Sequence, residues 1–166
     1  MNEAGNSLAR LHKVELDGDN LTGLSPFIEA DREQAVNDLA AASHFAPLTH
    51  ADASGPFTLY LSIREGRLIF DVRDRSGHPV TAIGLALGPF RRLVKDYQLL
   101  VDSHIKAVEE GREARIQAID MGRRGLHNEG AELMRQRLAG KIDIDFDTAR
   151  RLFTLVCVLH QRVSAR

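Results

Sequence analysis

Tryptophan is absent from these 166 residues, and only two tyrosines and one cysteine occur. With so few flat side chains there is little on which nucleic-acid bases could stack. A net charge of −1 provides no global field for a polyanion or an anionic membrane. Nucleic acid and membrane are therefore not expected as partners. The lone Cys157 can neither close an internal disulfide nor build a cysteine-based zinc site. It lies inside the apolar run 152–159, where a buried, inert thiol is expected. No apolar stretch approaches the roughly 20 residues of a membrane span. The first seven residues lack the basic and apolar regions of a signal peptide, so a cytoplasmic location is expected.

The familiar local signatures are missing as well. The seven histidines (12, 44, 50, 78, 104, 127 and 160) contain no His-x₃-His pair, and no metal site is expected. There is no Gly-x-Gly-x-x-Gly, no phosphate-binding loop and no Gly-x-Ser-x-Gly elbow. Gly84-x-x-x-Gly88 lacks the lysine a phosphate loop needs. No cofactor is implied.

What is present is arginine, unevenly placed. Arginine supplies 18 of the 22 basic residues. Residues 1–87 carry 7 basic and 12 acidic side chains, whereas residues 88–166 carry 15 and 11. The second half can thus hold a local anion site, and the guanidinium fork suits carboxylate or phosphate better than an ammonium does.

Periodicity predicts one α+β domain over residues 1–166, with residues 1–8 frayed. Leu11–Leu16 reads as a weak first strand, closed by turn residues at 17–20. A helix runs from about Glu29 to Ser43, with Ile28, Ala35, Leu39 and Ala42 on one face. Pro47 and residues 51–56 read as loop. Phe57, Leu59, Leu61 and Ile63 alternate with polar neighbours, as do Leu68, Phe70 and Val72, and Val80–Leu87 follows. This is a three-stranded antiparallel meander with one covered face. Gly88-Pro89 opens a long helix whose apolar stripe is Phe90, Leu93, Val94, Tyr97, Leu100, Val101, His104, Ile105 and Val108. A second runs from about Glu113 to Leu138, with Gly140 past its end. Residues 141–146 read as a connector. Asp145 or Asp147 caps a last helix, apolar nearly all round and hence buried centrally. About four helices form the covering layer.

The stretch Asp120–Gly130 is the most unusual. Its helix has an apolar stripe of Ile116, Ile119, Leu126, Leu133 and Met134. Arg123 and His127 flank that stripe one turn apart, with Asp120 and Arg124 next around. Three glycines within nine residues cost about 1 kcal/mol each relative to alanine. Gly122 and Gly130 fall near the apolar face, which suggests close approach of another helix or a ligand; a kink near Gly125 is the other explanation. Three arginine doublets add to this: Arg91-Arg92, Arg123-Arg124 and Arg150-Arg151. Two of them are placed in the first turn of a helix, where the dipole disfavours cations. Either Asp96, Asp143, Asp145 or Asp147 pairs with them, or they are exposed to solvent, or they converge on a bound anion.

Several longer motifs resemble a known family. They are Pro89-Phe-Arg-Arg-Leu-Val-Lys-Asp-Tyr97, Ala118-Ile-Asp-Met-Gly-Arg-Arg-Gly-Leu-His-Asn-Glu-Gly130, Leu138-Ala-Gly-Lys-Ile-Asp-Ile-Asp-Phe-Asp-Thr-Ala-Arg-Arg-Leu-Phe153 and Val156-Cys-Val-Leu-His160. Phe70-Asp-Val-Arg-Asp74 and Phe45-Ala-Pro47 fit the same pattern. Together they are similar to an uncharacterised, mostly alphaproteobacterial family numbered 262, over nearly the whole chain. The resemblance implies no activity, cofactor or catalytic residue.

Two functions follow as expectations. One is a non-enzymatic binding or regulatory module, with a protein partner or a second copy of itself. The other is an enzyme or sensor for a small phosphorylated or carboxylated metabolite. It would use Arg123, Arg124, His127 and Asp120 with Arg91, Arg92, Arg150 and Arg151, and Asp120 or Glu129 would orient His127. The two part on whether these side chains meet across a pocket or face water.

Overall fold

A computed structural model describes residues 8–17, 24–50 and 53–164. The expectations for residues 1–7, for most of the turn at 17–20 and for the first two residues of the 51–56 loop lie outside the described residues. The elements are β1 (Leu11–Leu16), α1 (Pro26–Ala41), β2 (Phe45–Pro47), β3 (Phe57–Arg64), β4 (Arg67–Arg73), β5 (Pro79–Ala86), α2 (Arg91–Glu109), α3 (Glu113–Leu138), β6 (Ile142–Ile144) and α4 (Phe146–Ser164). The architecture is α+β, as the periodicity predicts.

The main sheet has the order β1-β3-β4-β5. The strands β3, β4 and β5 are antiparallel, whereas β1 runs parallel to β3. Alternation decides which face is covered. Leu59, Leu61, Leu68, Phe70 and Val72 are fully buried against the helices. Tyr60, Asp71 and Ala82 form a row on the opposite face, where the Arg73 guanidinium lies 5.4 Å from the centre of the Tyr60 ring. The β3–β4 hairpin turns through Glu65 and Gly66, both at positive φ (52° and 73°). A two-residue turn of this hand matches the twist of the strands and needs glycine or a tolerant residue at such positions.

The last helix lies at the centre. Leu152, Phe153, Leu155, Val156, Cys157 and Val158 of α4 are fully buried, and α4 touches α1, α2, α3 and the sheet. Asp145 is its cap: the carboxylate accepts from the Thr148 amide at 2.8 Å. At the start of α1, Ser25 Oγ accepts from the Ile28 amide at 3.3 Å, with Pro26 in the first turn. That helix begins and ends earlier than its apolar face suggested. Ser43 lies beyond it, and its hydroxyl accepts from the Leu11 amide instead.

Two short segments differ from the sequence expectation. Phe45–Pro47, whose Pro47 reads as loop, and Ile142–Ile144, inside the expected connector, pair as a two-stranded antiparallel ribbon. Pro47 sits at the strand's end, where a missing N–H costs least. The α2 stripe also overshoots. Ile105 and Val108 are exposed although Val101 and Ala107 are buried, so the covered face at that end of α2 is not the one the stripe extrapolates to. No helix among the described residues is long and apolar enough to cross a membrane.

Candidate functional site

The α3 helix runs unbroken through Gly122, Gly125 and Gly130, so its 3.6-residue period holds and no break intervenes near Gly125. That periodicity puts Arg123 and His127 on one edge, one turn apart. The edge faces neither bulk water nor a bare packing seam. It forms one wall of a cavity of about 250 Å³ between three helices. Arg123, Arg124 and His127 line it from α3, Arg150, Arg151 and Thr154 from α4, and Asp31, Gln34, Ala35 and Asp38 from α1. A larger concavity of about 760 Å³ lies over the outer face of the sheet. Its Asp71 and Arg73 are already paired at 3.1 Å, and the rest of its charged lining is mixed in sign, with Glu15, Asp17 and Arg64.

Four guanidinium groups therefore share the smaller cavity with two carboxylates. Asp31 is committed. It accepts from Arg123 at 2.9 Å and from the Tyr97 hydroxyl at 2.7 Å. The Arg123 guanidinium also lies 5.1 Å from the centre of the Phe27 ring. Asp38 stands 3.7 Å from Arg151, whose other nitrogen donates to the Ala42 carbonyl at 3.3 Å. The remaining two arginines pair with no carboxylate among the described residues. Arg150 donates to the neutral Asn128 side chain at 2.9 Å, and Arg124 is exposed at the rim. Burial holds the Arg150 guanidinium below its ordinary range. Asp147 opposes this, while Arg123, Arg124 and Arg151 push in the same direction as burial. The site thus carries excess positive charge in a partly enclosed space.

His127 is more deeply placed than half-buried, at 6% exposure. Its ring meets Tyr97 and Phe153 edge-on, with centroids at 5.9 and 5.7 Å. Burial, reinforced by Arg150 and Arg123, pushes its pKa down to about 4, so the ring is neutral at physiological pH. Neither Asp120 nor Glu129 orients it. Thr154 Oγ1 does, 3.0 Å from Nδ1, and the same hydroxyl lies 3.2 Å from the Arg150 carbonyl. A histidine that is charged when unfolded and neutral when folded makes stability depend on pH. Between about pH 6.5 and 4 the unfolded chain binds the extra proton, so stability is full above that window and falls through it. We expect a loss of about 3 kcal/mol across the window from this residue. Urea titrations at stepped pH should show it, and His127→Gln should flatten the slope.

Other expected members do not join the cavity. Asp120 lies 3.8 Å from Arg123 but outside the lining. Arg91 and Arg92 begin α2 and do not line it either. Arg92 is paired with Asp96 and Glu129. Arg150 and Arg151 occupy the second turn of α4, not its first, because the helix already starts at Phe146. This lets them point across to α3 and α1. Of the three glycines of α3, only Gly130 is a close-packing position: a β-carbon there would overlap the Phe153 ring. Gly122 is exposed, and a β-carbon would sit an ordinary 3.6 Å from Leu100. The pair does not form one docking surface. Cys157 is fully buried, with its thiol pushed well above the ordinary range by burial and then by Asp31. Among the described residues no three His, Cys, Asp or Glu side chains gather as a metal site.

The sequence reading missed the α1 wall and Thr154. Asp31, Gln34, Ala35 and Asp38 follow i, i+3, i+4, i+7 spacing, which places them on one face. That spacing was the available signal.

The fold and cavity define an α+β protein with an arginine-lined cleft walled by three helices. The chain belongs to the uncharacterised protein family UPF0262, whose profile matches residues 8–162. It is 67% identical over 160 residues to a UPF0262 protein of Granulibacter bethesdensis, covering 93% of this chain and 91% of that one. It is 61% identical over 153 residues to one from Acidiphilium cryptum, with 92% and 93% covered. A third, from Paramagnetospirillum magneticum, is 48% identical over 153 residues, with 92% and 96% covered. No solved structure matches.

Proposed function

We propose that this protein is a non-enzymatic binding module that holds a small phosphorylated or carboxylated metabolite in the cavity between α1, α3 and α4. One observation carries the reading: Arg124 and Arg150 share a half-enclosed cavity with Arg123 and Arg151, yet pair with no carboxylate among the described residues. Unmatched guanidinium forks in such a place gain most from an oxyanion that accepts from them in pairs. The volume of about 250 Å³ suits a compact anion rather than a nucleotide.

Binding is favoured over catalysis because of His127. It is neutral, closed in by Tyr97 and Phe153, and tied to a threonine rather than a carboxylate. A general base is usually held by an acid and poised near the working pH. A cytoplasmic location, where such metabolites circulate, accompanies this reading. The test is a thermal-shift screen against phosphorylated and dicarboxylic metabolites, repeated on Arg150→Ala and Arg124→Ala. We expect at least one compound to raise the melting temperature of the wild type and to lose most of that effect in both variants. A hit that survives both substitutions would place the ligand elsewhere.

A further inference from the structure

A buried polar atom in the cavity wall narrows the ligand class further, on the footing of the anion-binding reading above. Thr154 has one hydroxyl hydrogen, and the Arg150 carbonyl one turn back, 3.2 Å away, can only accept it. With the hydrogen given to that carbonyl, the oxygen accepts from His127 Nδ1–H, 3.0 Å away. In a neutral ring this leaves Nε2 as a bare lone pair. Nε2 has no hydrogen-bonding partner among the described residues, although His127 is 6% exposed and lines the cavity. A buried acceptor without a donor is costly. Here it sits among cations that repel a second proton on the ring. The titratable and charged groups facing this space are Asp31 and Asp38 from α1, Tyr97 from α2, Arg123 and Arg124 from α3, and Arg150 and Arg151 from α4. Of these, the Tyr97 hydroxyl is spent on Asp31.

An anion suited to this site must therefore do two things. It must accept from several guanidinium groups and donate one hydrogen bond to Nε2. Sulfate and ionised carboxylates carry no hydrogen at neutral pH and would set an oxygen lone pair against the nitrogen's. We propose that the site takes a phosphate group that keeps one P–OH, either inorganic phosphate or the monoanion of a phosphate monoester, with His127 Nε2 accepting that hydrogen.

Titration calorimetry of the full chain with sodium phosphate, sodium sulfate and glycerol phosphate at pH 6 and pH 8 tests this. Inorganic phosphate keeps a P–OH at both pH values and should bind about tenfold or more tighter than sulfate at both. The monoester loses its last proton near pH 6. If it is the ligand, its affinity should fall about tenfold or more between pH 6 and 8 while that of inorganic phosphate holds. Which of the two binds more tightly at pH 6 distinguishes the sources. Sulfate binding as tightly as phosphate would overturn the proposal, as would a monoester that tightens with rising pH. Nitrogen-15 NMR of the free protein gives an independent check: the ring should carry its proton on Nδ1, and an Nε2–H tautomer would contradict the assignment. If none of the three anions binds, the P–OH proposal falls together with the phosphate half of the anion-site reading, whereas equal phosphate and sulfate affinities remove only the P–OH preference.

Discussion

Gly130→Ala loses about 2–3 kcal/mol of stability, although alanine is the better helix former. The substitution gains about 1 kcal/mol of helix propensity. That gain is outweighed because the new methyl group would overlap the ring of Phe153, a fully buried side chain at the centre of the core. Phe153 cannot swing aside without disturbing His127, which it meets at 5.7 Å. Overpacking of this kind costs about 1–3 kcal/mol, or more where nothing can yield. Gly125→Ala serves as the counterpart. It is exposed, no atom lies within contact of its β-carbon position, and the propensity gain of up to about 1 kcal/mol should appear in full. Two alanines five residues apart in one helix thus shift stability in opposite directions. Chemical denaturation of both variants reads this directly, and equal shifts of the same sign would refute the packing account of Gly130.

Asp31→Ala should lower stability by about 3 kcal/mol while raising affinity for an anion in the cavity. The stability loss has two sources. Tyr97 is fully buried, and its hydroxyl would lose the acceptor it reaches at 2.7 Å, which costs about 1–3 kcal/mol. Arg123 would lose a charge-assisted bond at 2.9 Å, discounted because its side chain is 30% exposed. The rise in affinity follows from the same loss. A cavity with four guanidinium groups and one carboxylate binds an anion more strongly than one with two carboxylates. Asp38→Ala should raise affinity too, but with a stability change below about 1 kcal/mol, since that side chain is 41% exposed and only 3.7 Å from its partner. Denaturation curves with and without phosphate separate the two effects. A drop in both stability and affinity for Asp31→Ala would mean that Asp31 shapes the site rather than restraining its charge.

The parts of the fold that one face of burial dictates were legible in the sequence. Leu59, Leu61, Phe70 and Val72 alternate because only one side of the sheet is covered. Glu113–Leu138 could be bounded because Gly111 and Gly140, both at positive φ, flank it. What escaped were features that no local period can signal. Three-residue strands such as Phe45–Pro47 and Ile142–Ile144 are too short to show alternation, and their pairing is a tertiary fact. The candidate site was half legible. Arg123, Arg124 and His127 stand out because they interrupt an otherwise ordinary helix. Asp31, Gln34 and Asp38 look like any solvated helix face until α1 is laid against α4. Thr154 reads as one more residue of a buried helix, yet it fixes the orientation of His127. The three arginine doublets look alike in sequence. Their neighbours separate them: Arg92 finds Asp96 and Glu129, while Arg150 finds only a neutral amide.

The claim that rests on these unmatched arginines is tested most directly by calorimetric titration of inorganic phosphate into the wild type and into an Arg124→Ala/Arg150→Ala double variant whose fold is verified by circular dichroism. Each lost charge-assisted hydrogen bond should cost about 1.5–3 kcal/mol. We predict saturable binding at one site in the wild type and a loss of tenfold or more in the double variant. Unchanged affinity in the variant, or no binding to the wild type, would contradict the account.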